Sequence, residues 1–168
     1  YKVITIKNVQ DGKIDSHGAD VIAVLPEKMK RECILQSGDI LLSLTGNVGR
    51  TGIVYEDNLL LNQRVAKIVA KESILHAIAY FILRTPSVKV LLEMIAKGSA
   101  QANLSPVEML NISIPFTISA LKNIAPLLTS YFEQIIKNEQ ENIRLAQLRD
   151  TILPKLMSGE IDVSEVAM

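Results

Sequence analysis

The interval from Leu127 to Leu153 contains neither glycine nor proline, and its helical pattern constrains the fold of this chain more than any other feature. It supports about 27 helical residues, or roughly 40 Å at 1.5 Å per residue. Pro126 either occupies the first turn of this helix or kinks a helix that begins near Ser119. Pro154 and the following Ser158-Gly159 pair are expected to end it.

Side chains at alternating spacings of three and four form a seam along this helix, which is typical of a coiled coil. The seam is apolar at both ends and polar in the middle, and it consists of Leu128, Tyr131, Ile135, Asn138, Asn142, Leu145, Arg149, Ile152 and Leu156. One helix cannot bury this stripe alone, so the sequence predicts a second helix against it. The two asparagines either fix the register of the pair or lie in solvent where the helices separate.

Composition excludes several classes of protein. Hydrophobic residues make up 48% of the 168, which is enough to bury a core. Lysine plus arginine, 18, equals aspartate plus glutamate, 18, so net charge gives no overall attraction to nucleic acid. A single cysteine and two isolated histidines argue against a disulfide framework or a zinc site, and no cofactor is expected. Without a signal peptide or an apolar stretch of roughly 20 residues, we expect a cytoplasmic protein with no membrane association.

Charge and pattern both change near residues 115–119. Residues 1–115 carry 13 basic and 11 acidic side chains, and residues 116–168 carry 5 and 7. We therefore predict an α+β chain, with a mixed globular domain over residues 1–116 and a helical region over residues 117–168.

The globular part reads as short strands and helices. Strand patterns cover Tyr1–Lys7, a buried run at Val21–Leu25, Ile40–Leu44, Ile53–Tyr55, Arg64–Val69 and Asn111–Ile114, with a turn at Asp11-Gly12. Helix patterns cover Ile74–Leu83 with Ser73 as its cap, Val88–Ala96, and a third segment that opens on a capping box from Ser105 to Glu108.

A glycine-rich segment, T-G-N-V-G-R-T-G, joins two of the predicted strands. A phosphate-binding P-loop has four residues between its glycines and then Gly-Lys-Ser/Thr before a helix. Here Gly46 and Gly49 are closer, and a strand pattern follows. We interpret the segment as a tight strand-to-strand connection rather than a nucleotide cradle. Its Asn47, Arg50 and Thr51 side chains still have the chemistry to bind base edges or phosphates.

Two further polar segments allow two interpretations. Gln101 and Asn103 lie in K-G-S-A-Q-A-N-L-S, and amide side chains of this kind read adenine in a major groove. The other interpretation is that they only cap and close a loop. The Asn62-Gln63-Arg64 segment presents the same choice.

No arrangement of residues recommends catalysis. Cys33 adjoins an apolar pair and is expected to be a small core residue, and His76 is expected to lie hydrogen-bonded at a helix edge. The carboxylates Asp39, Glu56, Asp57 and Glu72 have no spacing that favours acid–base work. A nuclease pairing of Asp39 with Lys67 has no support in the pattern.

Five segments, taken in order, resemble the specificity subunits of type I restriction–modification systems. They are G-D-I-L-L-S-L-T-G-N-V-G-R-T-G-I-V (38–54), L-N-Q-R-V-A-K-I (61–68), G-S-A-Q-A-N-L-S (98–105), I-S-I-P (112–115) and L-R-D-T-I-L-P-K-L-M-S-G-E-I (148–161). The last is the most specific, and I-K-N-V-Q-D-G-K-I (6–14) is a weaker addition.

This resemblance implies a non-catalytic protein with one target-recognition domain and one conserved helical region. The domain would read half of a split double-stranded DNA site through the major groove. The helix would pack antiparallel against its counterpart and dock methyltransferase subunits, with restriction subunits joining the complex. Family members usually have two of each part, so the chain is expected to be the C-terminal half of a subunit or a half-subunit that dimerises. A helix pair of about 40 Å would hold two reading heads apart by roughly the 34 Å of one DNA turn.

Candidate contacts follow from side-chain chemistry and loop position. For DNA they are Lys13, Asn47, Arg50, Arg64, Lys97, Gln101 and Asn103, and for the partner helix they are the seam residues Leu128, Tyr131, Ile135, Asn138, Asn142, Leu145, Ile152 and Leu156. The zero net charge predicts weak DNA binding by the chain alone. The alternative is an interaction module that dimerises and binds the methyltransferase without reading DNA. An enzyme ranks last, because no S-adenosylmethionine glycine loop or Asn-Pro-Pro-Tyr-like motif appears.

Overall fold

The computed structural model of the protein describes residues 1–96, 103–114 and 117–161, and its strands and helices confirm the α+β class. The strands are β1 (Lys2–Ile4), β2 (Gly12–Lys13), β3 (Asp20–Val21), β4 (Ile34–Leu35), β5 (Ile40–Ser43), β6 (Thr51–Ile53), β7 (Leu59–Leu61) and β8 (Val65–Ile68). The helices are α1 (His76–Leu83), α2 (Pro86–Ala96), α3 (Pro106–Leu110) and α4 (Ile118–Met157), with 3₁₀ turns at Arg31–Cys33 and Ser73–Leu75.

The strands form two mixed sheets of four. In the first, the order is β3-β1-β7-β4, and β1 runs parallel to β7. In the second, the order is β2-β6-β5-β8, and β2 runs parallel to β6 while β5 is antiparallel to both its neighbours. Each parallel pair joins a strand near the beginning of the chain to one many residues later, so the N-terminal segment is part of both sheets.

Strand β5 is buried on both of its faces. Leu41 belongs to a cluster with Ile4, Leu35 and Leu59 of the first sheet. Leu42 faces the other way, into a cluster with Leu83 and residues of α2. Because successive side chains on a strand point to opposite faces, a strand between two layers needs apolar residues at every position. This explains the unbroken I-L-L run that predicted the strand.

The first half of α4 packs on the globular part of the chain. Ala125 is fully buried and Phe132 is 5% exposed. The Phe132 ring makes edge contacts with His76 and Tyr80, at centroid distances of 5.6 and 5.5 Å. Lys122 adds an ion pair of 2.7 Å to Glu72. These contacts bury one face of this half of the helix, and its opposite face is exposed to solvent.

Helix α4 is longer than the glycine- and proline-free interval. It begins at Ile118, so Pro126 lies inside it, as one of the two alternatives had it. The expectation that Pro154 ends the helix is wrong, because α4 continues to Met157. Proline only removes one donor and crowds the preceding turn, and Asp150 in that turn is exposed to solvent. Gly159, at φ +74°, follows the end as predicted.

The chain divides into two compact units, Tyr1–Ile136 and Lys137–Met168. Helix α4 contributes residues to both units. The functional division between residues 116 and 117 stays a prediction.

Two predicted strands are wrong. The Val21–Leu25 run is not buried, because β3 is a two-residue edge strand and Val21 and Val24 are 72% and 79% exposed. Residues Asn111–Ile114 form no strand among the described residues. Ile112 instead packs against the cluster around Leu42, so its apolar pattern reflects contact with that cluster rather than sheet pairing.

Two predicted helix caps also differ. Ser73 lies inside a 3₁₀ turn whose N-cap is Glu72, so it does not cap α1. Ser105 occupies the N-cap position of α3 with Pro106 next to it, as predicted. Its hydroxyl, however, makes no capping hydrogen bond within the described part of the chain.

In the ranges that the structure describes, no single helix is both long and apolar enough to cross a membrane. One bent pair, Ser73–Leu83 with Pro86–Ala96, meets the same test of length and composition when taken together, with a bend of 78°.

Candidate nucleic-acid interface

Three segments that the sequence singled out meet at the end of β5. The Leu44 amide donates to the carbonyl oxygen of Arg64 at 2.9 Å, and the Leu104 amide donates to the carbonyl of Leu44 at 2.7 Å. Thr45 and Asn103 form an antiparallel bridge. The glycine-rich loop, the Asn62–Arg64 turn and Asn103–Leu104 are therefore held at the same end of the second sheet.

The glycine-rich loop is a tight connection between antiparallel strands, as its spacing indicates. Its backbone closes on itself, with the Gly49 amide donating to the Ser43 carbonyl at 3.0 Å. Gly46 and Gly49 have φ values of +71° and +80°, which residues with a β-carbon rarely adopt. Asn47 is exposed, but Thr51 is fully buried and is not available to a ligand.

Arg50 joins this loop to the turn before β2. Its Nη1 donates to Gln10 Oε1 at 3.2 Å. Lys13 lies three residues further along, exposed on β2 where it pairs with Ile53. The turn and the loop thus form one polar surface that carries two of the predicted contacts.

Arg64 is exposed and has a φ of +70°. A side chain with a β-carbon is uncommon in this left-handed region, and such backbone strain concentrates at functional sites. The turn presents an exposed guanidinium, while the Arg64 carbonyl accepts from the Leu44 amide, so its role as a binding element stays a prediction.

Two cations that the sequence analysis missed belong to the same surface. Arg84 Nε lies 3.1 Å from Asp11 Oδ1, and Lys89 Nζ lies 3.7 Å from Asp11 Oδ2. Arg84 follows the last residue of α1 and Lys89 is in the first turn of α2. The Thr85-Pro86 helix break marks this corner in the sequence, but no local pattern shows that the corner meets a turn more than seventy residues earlier.

Two tyrosine side chains hold that turn in place by hydrogen bonds to its backbone. The hydroxyls of Tyr55 and Tyr80 both donate to the carbonyl of Gly12, at 3.0 and 3.2 Å. Arg84 Nη1 donates to the Tyr80 hydroxyl at 2.8 Å, and its guanidinium carbon lies 5.1 Å from the centre of the Tyr80 ring. The positions of the turn and of the Arg84 guanidinium are therefore set by the buried core.

Replacing Tyr80 with phenylalanine is expected to cost about 1 kcal/mol, because the carbonyl of Gly12 keeps Tyr55 while Arg84 loses its acceptor. Burial raises the pKa of the Tyr80 hydroxyl, and the charge of Arg84 offsets part of that increase. Because the folded-state pKa is the higher one, the unfolded chain loses this proton first. Stability should therefore fall as pH rises above about 10, and the Tyr80→Phe variant should lack this pH dependence.

Urea unfolding from pH 8 to 10.5 measures both the loss of stability and its pH dependence. Tyr131→Phe, at an exposed position, is the control, and an equal alkaline slope in all three proteins would contradict the assignment.

A cavity of about 300 Å³ lies between the glycine-rich loop and α2. Its lining includes Gly46, Asn47, Arg50, Lys89 and Glu93. These residues offer amide, guanidinium and ammonium donors together with one carboxylate acceptor. This mixture suits hydrogen bonding to base edges and phosphates better than the binding of an apolar ligand.

The remaining predicted contacts fall in two groups. Lys97 and Gln101 lie outside the described residues, and Asn103 is exposed beside Thr45. Of the helix positions, Tyr131, Asn138, Asn142, Leu145 and Leu156 are exposed, and Leu128, Ile135 and Ile152 are half-buried.

Three of the four carboxylates considered for acid–base chemistry are paired with separate cations. Glu56 pairs with Lys2 at 3.0 Å, and Glu72 pairs with Lys122. Asp39 does meet Lys67, at 2.7 Å, but within the described ranges no three acidic, histidine or cysteine side chains come together to hold a metal ion.

The predictions for the two reactive side chains had different outcomes. His76 Nε2 is hydrogen-bonded to the carbonyl of Gly38 at 3.0 Å, as expected of a residue at the start of α1. Cys33 is half-buried at the end of a 3₁₀ turn, so the expectation of a core cysteine is wrong.

Comparison with known proteins places these features in a family context. A family model described as type I restriction modification DNA specificity domain matches residues 1–147. The chain is 26% identical over 163 residues to the type I restriction enzyme HindI specificity subunit of Haemophilus influenzae, covering 94% of this chain and 35% of that protein. It is 25% identical over 170 residues to the EcoBI specificity subunit of Escherichia coli, covering 95% and 35%. The MjaIX specificity subunit of Methanocaldococcus jannaschii is 25% identical over 120 residues, covering 70% and 28%. The chain thus spans about a third of the length of these curated relatives.

Proposed function

Because the chain belongs to the type I restriction modification DNA specificity domain family, we propose that it reads one half-site of a split double-stranded DNA target and does no catalysis itself. The resemblance seen in the sequence motifs is confirmed at the level of the family. The observation that carries the proposal is the meeting of the polar loops at the end of β5, next to the cations of the α1–α2 corner.

The chemistry of the surface divides into two tasks. Asn47, Arg50 and Asn103 have side chains that bind base edges with paired hydrogen bonds, which is how a major groove is read. Lys13 and Arg64 are suited to phosphate oxygens, which position a protein without specifying sequence. Lys97 and Gln101 join these groups in the proposal on side-chain chemistry alone.

Helix α4 supplies the second part of the proposal. Ile124, Leu127 and Tyr131 are exposed in the first unit, and Leu145, Leu148 and Leu153 are exposed in the second. We propose that a second helix covers this apolar surface in a cytoplasmic complex, through self-association in an antiparallel coiled coil and through docking of methyltransferase subunits, to which restriction subunits are added.

The experiment that tests DNA reading is co-expression with candidate type I methyltransferase subunits, followed by mapping of methylated adenines. Arg50→Lys keeps the charge but loses the planar fork of donors. We expect about a 5- to 150-fold loss of discrimination at one base position, the equivalent of about 1–3 kcal/mol. Asn47→Ala should relax a different position. Lys28→Gln, an exposed change on another segment, is the control.

The alternative function, an interaction module that binds the methyltransferase without reading DNA, is favoured by the exposed apolar positions of α4 alone. It makes the opposite prediction. The Arg50 and Asn47 variants would leave the methylation pattern unchanged, while Leu145→Asp would still abolish co-purification with the methyltransferase.

A further inference from the structure

Asp11 holds an unusual place on the candidate interface. Each of its carboxylate oxygens faces a different cation, Oδ1 to Arg84 and Oδ2 to Lys89. The Asp11 side chain is 57% exposed, whereas those of Arg84 and Lys89 are 33% and 38% exposed. The acid is therefore the outermost of the three groups and lies between the two cations and solvent.

The cations are arranged to receive an anion whether or not Asp11 is there. Arg84 is fixed from behind by the Tyr80 hydroxyl and ring. A β-carbon on Gly12 would lie only 3.1 Å from Arg84 Nη2, so glycine leaves the room that the guanidinium occupies. Lys89 is carried by the first turn of α2, and it also lines the cavity beside Asn47 and Arg50. A phosphate at the position of the Asp11 carboxylate would meet the same two donors and lie next to the base-reading loop.

Resting on the proposed function, we propose that Asp11 is an internal substitute for a DNA phosphate and weakens the binding of non-target DNA. In the free protein its carboxylate occupies the Arg84–Lys89 site. On the target, a backbone phosphate displaces the carboxylate into solvent and takes over both cations. Exposed ion pairs contribute little net stability, so breaking the Asp11 ion pairs costs little free energy once other contacts fix the register of the DNA. On other sequences those contacts are absent, and the acid competes with the phosphate.

Asp11→Asn removes the competing charge and keeps the size of the side chain. The full chain is titrated into a labelled duplex of mixed sequence, and its affinity is measured by fluorescence anisotropy across a range of salt from about 50 to 200 mM. We expect the affinity at the lowest salt to rise about three- to tenfold, as loss of one nearby like charge implies. The plot of log affinity against log salt should steepen by about 0.9, one extra phosphate neutralised.

Two controls make the measurement specific to this site. Asp57→Asn removes the same charge from an exposed turn between β6 and β7 and should change affinity less than twofold. In a Lys89→Gln background, the gain from Asp11→Asn should be smaller than in the unaltered chain, because one of the two released cations is gone. Thermal unfolding of each variant checks that the fold is intact, and Asp11→Ser is a second replacement with the same expectation.

The inference is overturned if Asp11→Asn binds the duplex no more tightly than the unaltered chain, if neither protein binds at the lowest salt, or if the gain is undiminished in the Lys89→Gln background. An acid that merely braces the helix corner would give a lower melting temperature and unchanged affinity, which also overturns it. The proposed function is judged separately, by the methylation pattern of the Arg50 and Asn47 variants. An altered pattern there with no gain from Asp11→Asn removes this inference alone.

Discussion

Replacing Phe132 with alanine is expected to lower the free energy of unfolding by about 3–5 kcal/mol. The ring is 5% exposed and lies edge-on against His76 and Tyr80, so its removal leaves a cavity between α4 and α1. Among the other contacts of this half of the helix, Ala125 has a small side chain and the Lys122–Glu72 ion pair is largely exposed. Chemical denaturation gives the loss of stability, and hydrogen exchange should show faster exchange over residues 118–136.

Tyr131 gives a matched control one residue away. It is 56% exposed, so Tyr131→Ala should change the stability of the chain by no more than about 0.5 kcal/mol. If α4 pairs as proposed, the same substitution should weaken self-association in sedimentation experiments. Equal losses of stability in the two variants would show that the contacts of Phe132 do not anchor the helix.

Replacing Gly52 with alanine is expected to displace β2. An added β-carbon would lie 2.5 Å from the carbonyl oxygen of Lys13, which is backbone and has no rotamer with which to yield. Gly52 is paired with Gly12 where the two parallel strands approach each other. Overpacking of this kind costs about 1–3 kcal/mol. Because β2 carries the turn that places Asp11 and Gln10, duplex binding should fall with stability.

Gly18→Ala separates this steric effect from the general effect of a glycine replacement. A β-carbon there meets nothing within 4 Å, although its φ of +69° adds strain of about 1–2 kcal/mol. Hydrogen exchange distinguishes the two variants, since the Ile14 amide donates to the Ile53 carbonyl at 3.0 Å. This amide should lose protection in Gly52→Ala and keep it in Gly18→Ala. Retained protection of the Ile14 amide in both variants would contradict the predicted displacement of β2.

Elements whose signal is local could be predicted from the sequence. Strand β5 is predicted because burial between two layers requires an uninterrupted apolar run. Helices α1 and α2 are predicted by apolar periodicity and by the Thr85-Pro86 break between them. The long helix is predicted from the glycine- and proline-free interval Leu127–Leu153. The observed helix extends beyond both ends of that interval and includes Pro126 and Pro154. In these elements the chain neighbours themselves determine the conformation.

Elements that depend on distant partners could not be predicted. Strand β4 pairs with β7, and neither has a pattern of its own that separates it from a loop. The exposure of Val21 follows from the edge position of β3, which no local pattern shows. The same holds for the site. The motif loops were found from side-chain chemistry, but Arg84 and Lys89 were missed because only the tertiary fold brings the α1–α2 corner to Asp11.

The two parallel pairings are long-range contacts that the N-terminal unit can complete only late in synthesis. Lys2 pairs with Leu59 and Gly12 with Gly52, so neither early strand has its parallel partner until the ribosome has released most of the β region. Closing such large loops costs entropy before any contact repays it, which makes non-local β structure slow to form. Strands β1 and β2 therefore wait with incompletely paired edges while the later strands are synthesised, and chaperone binding at this stage would protect the yield of folded protein.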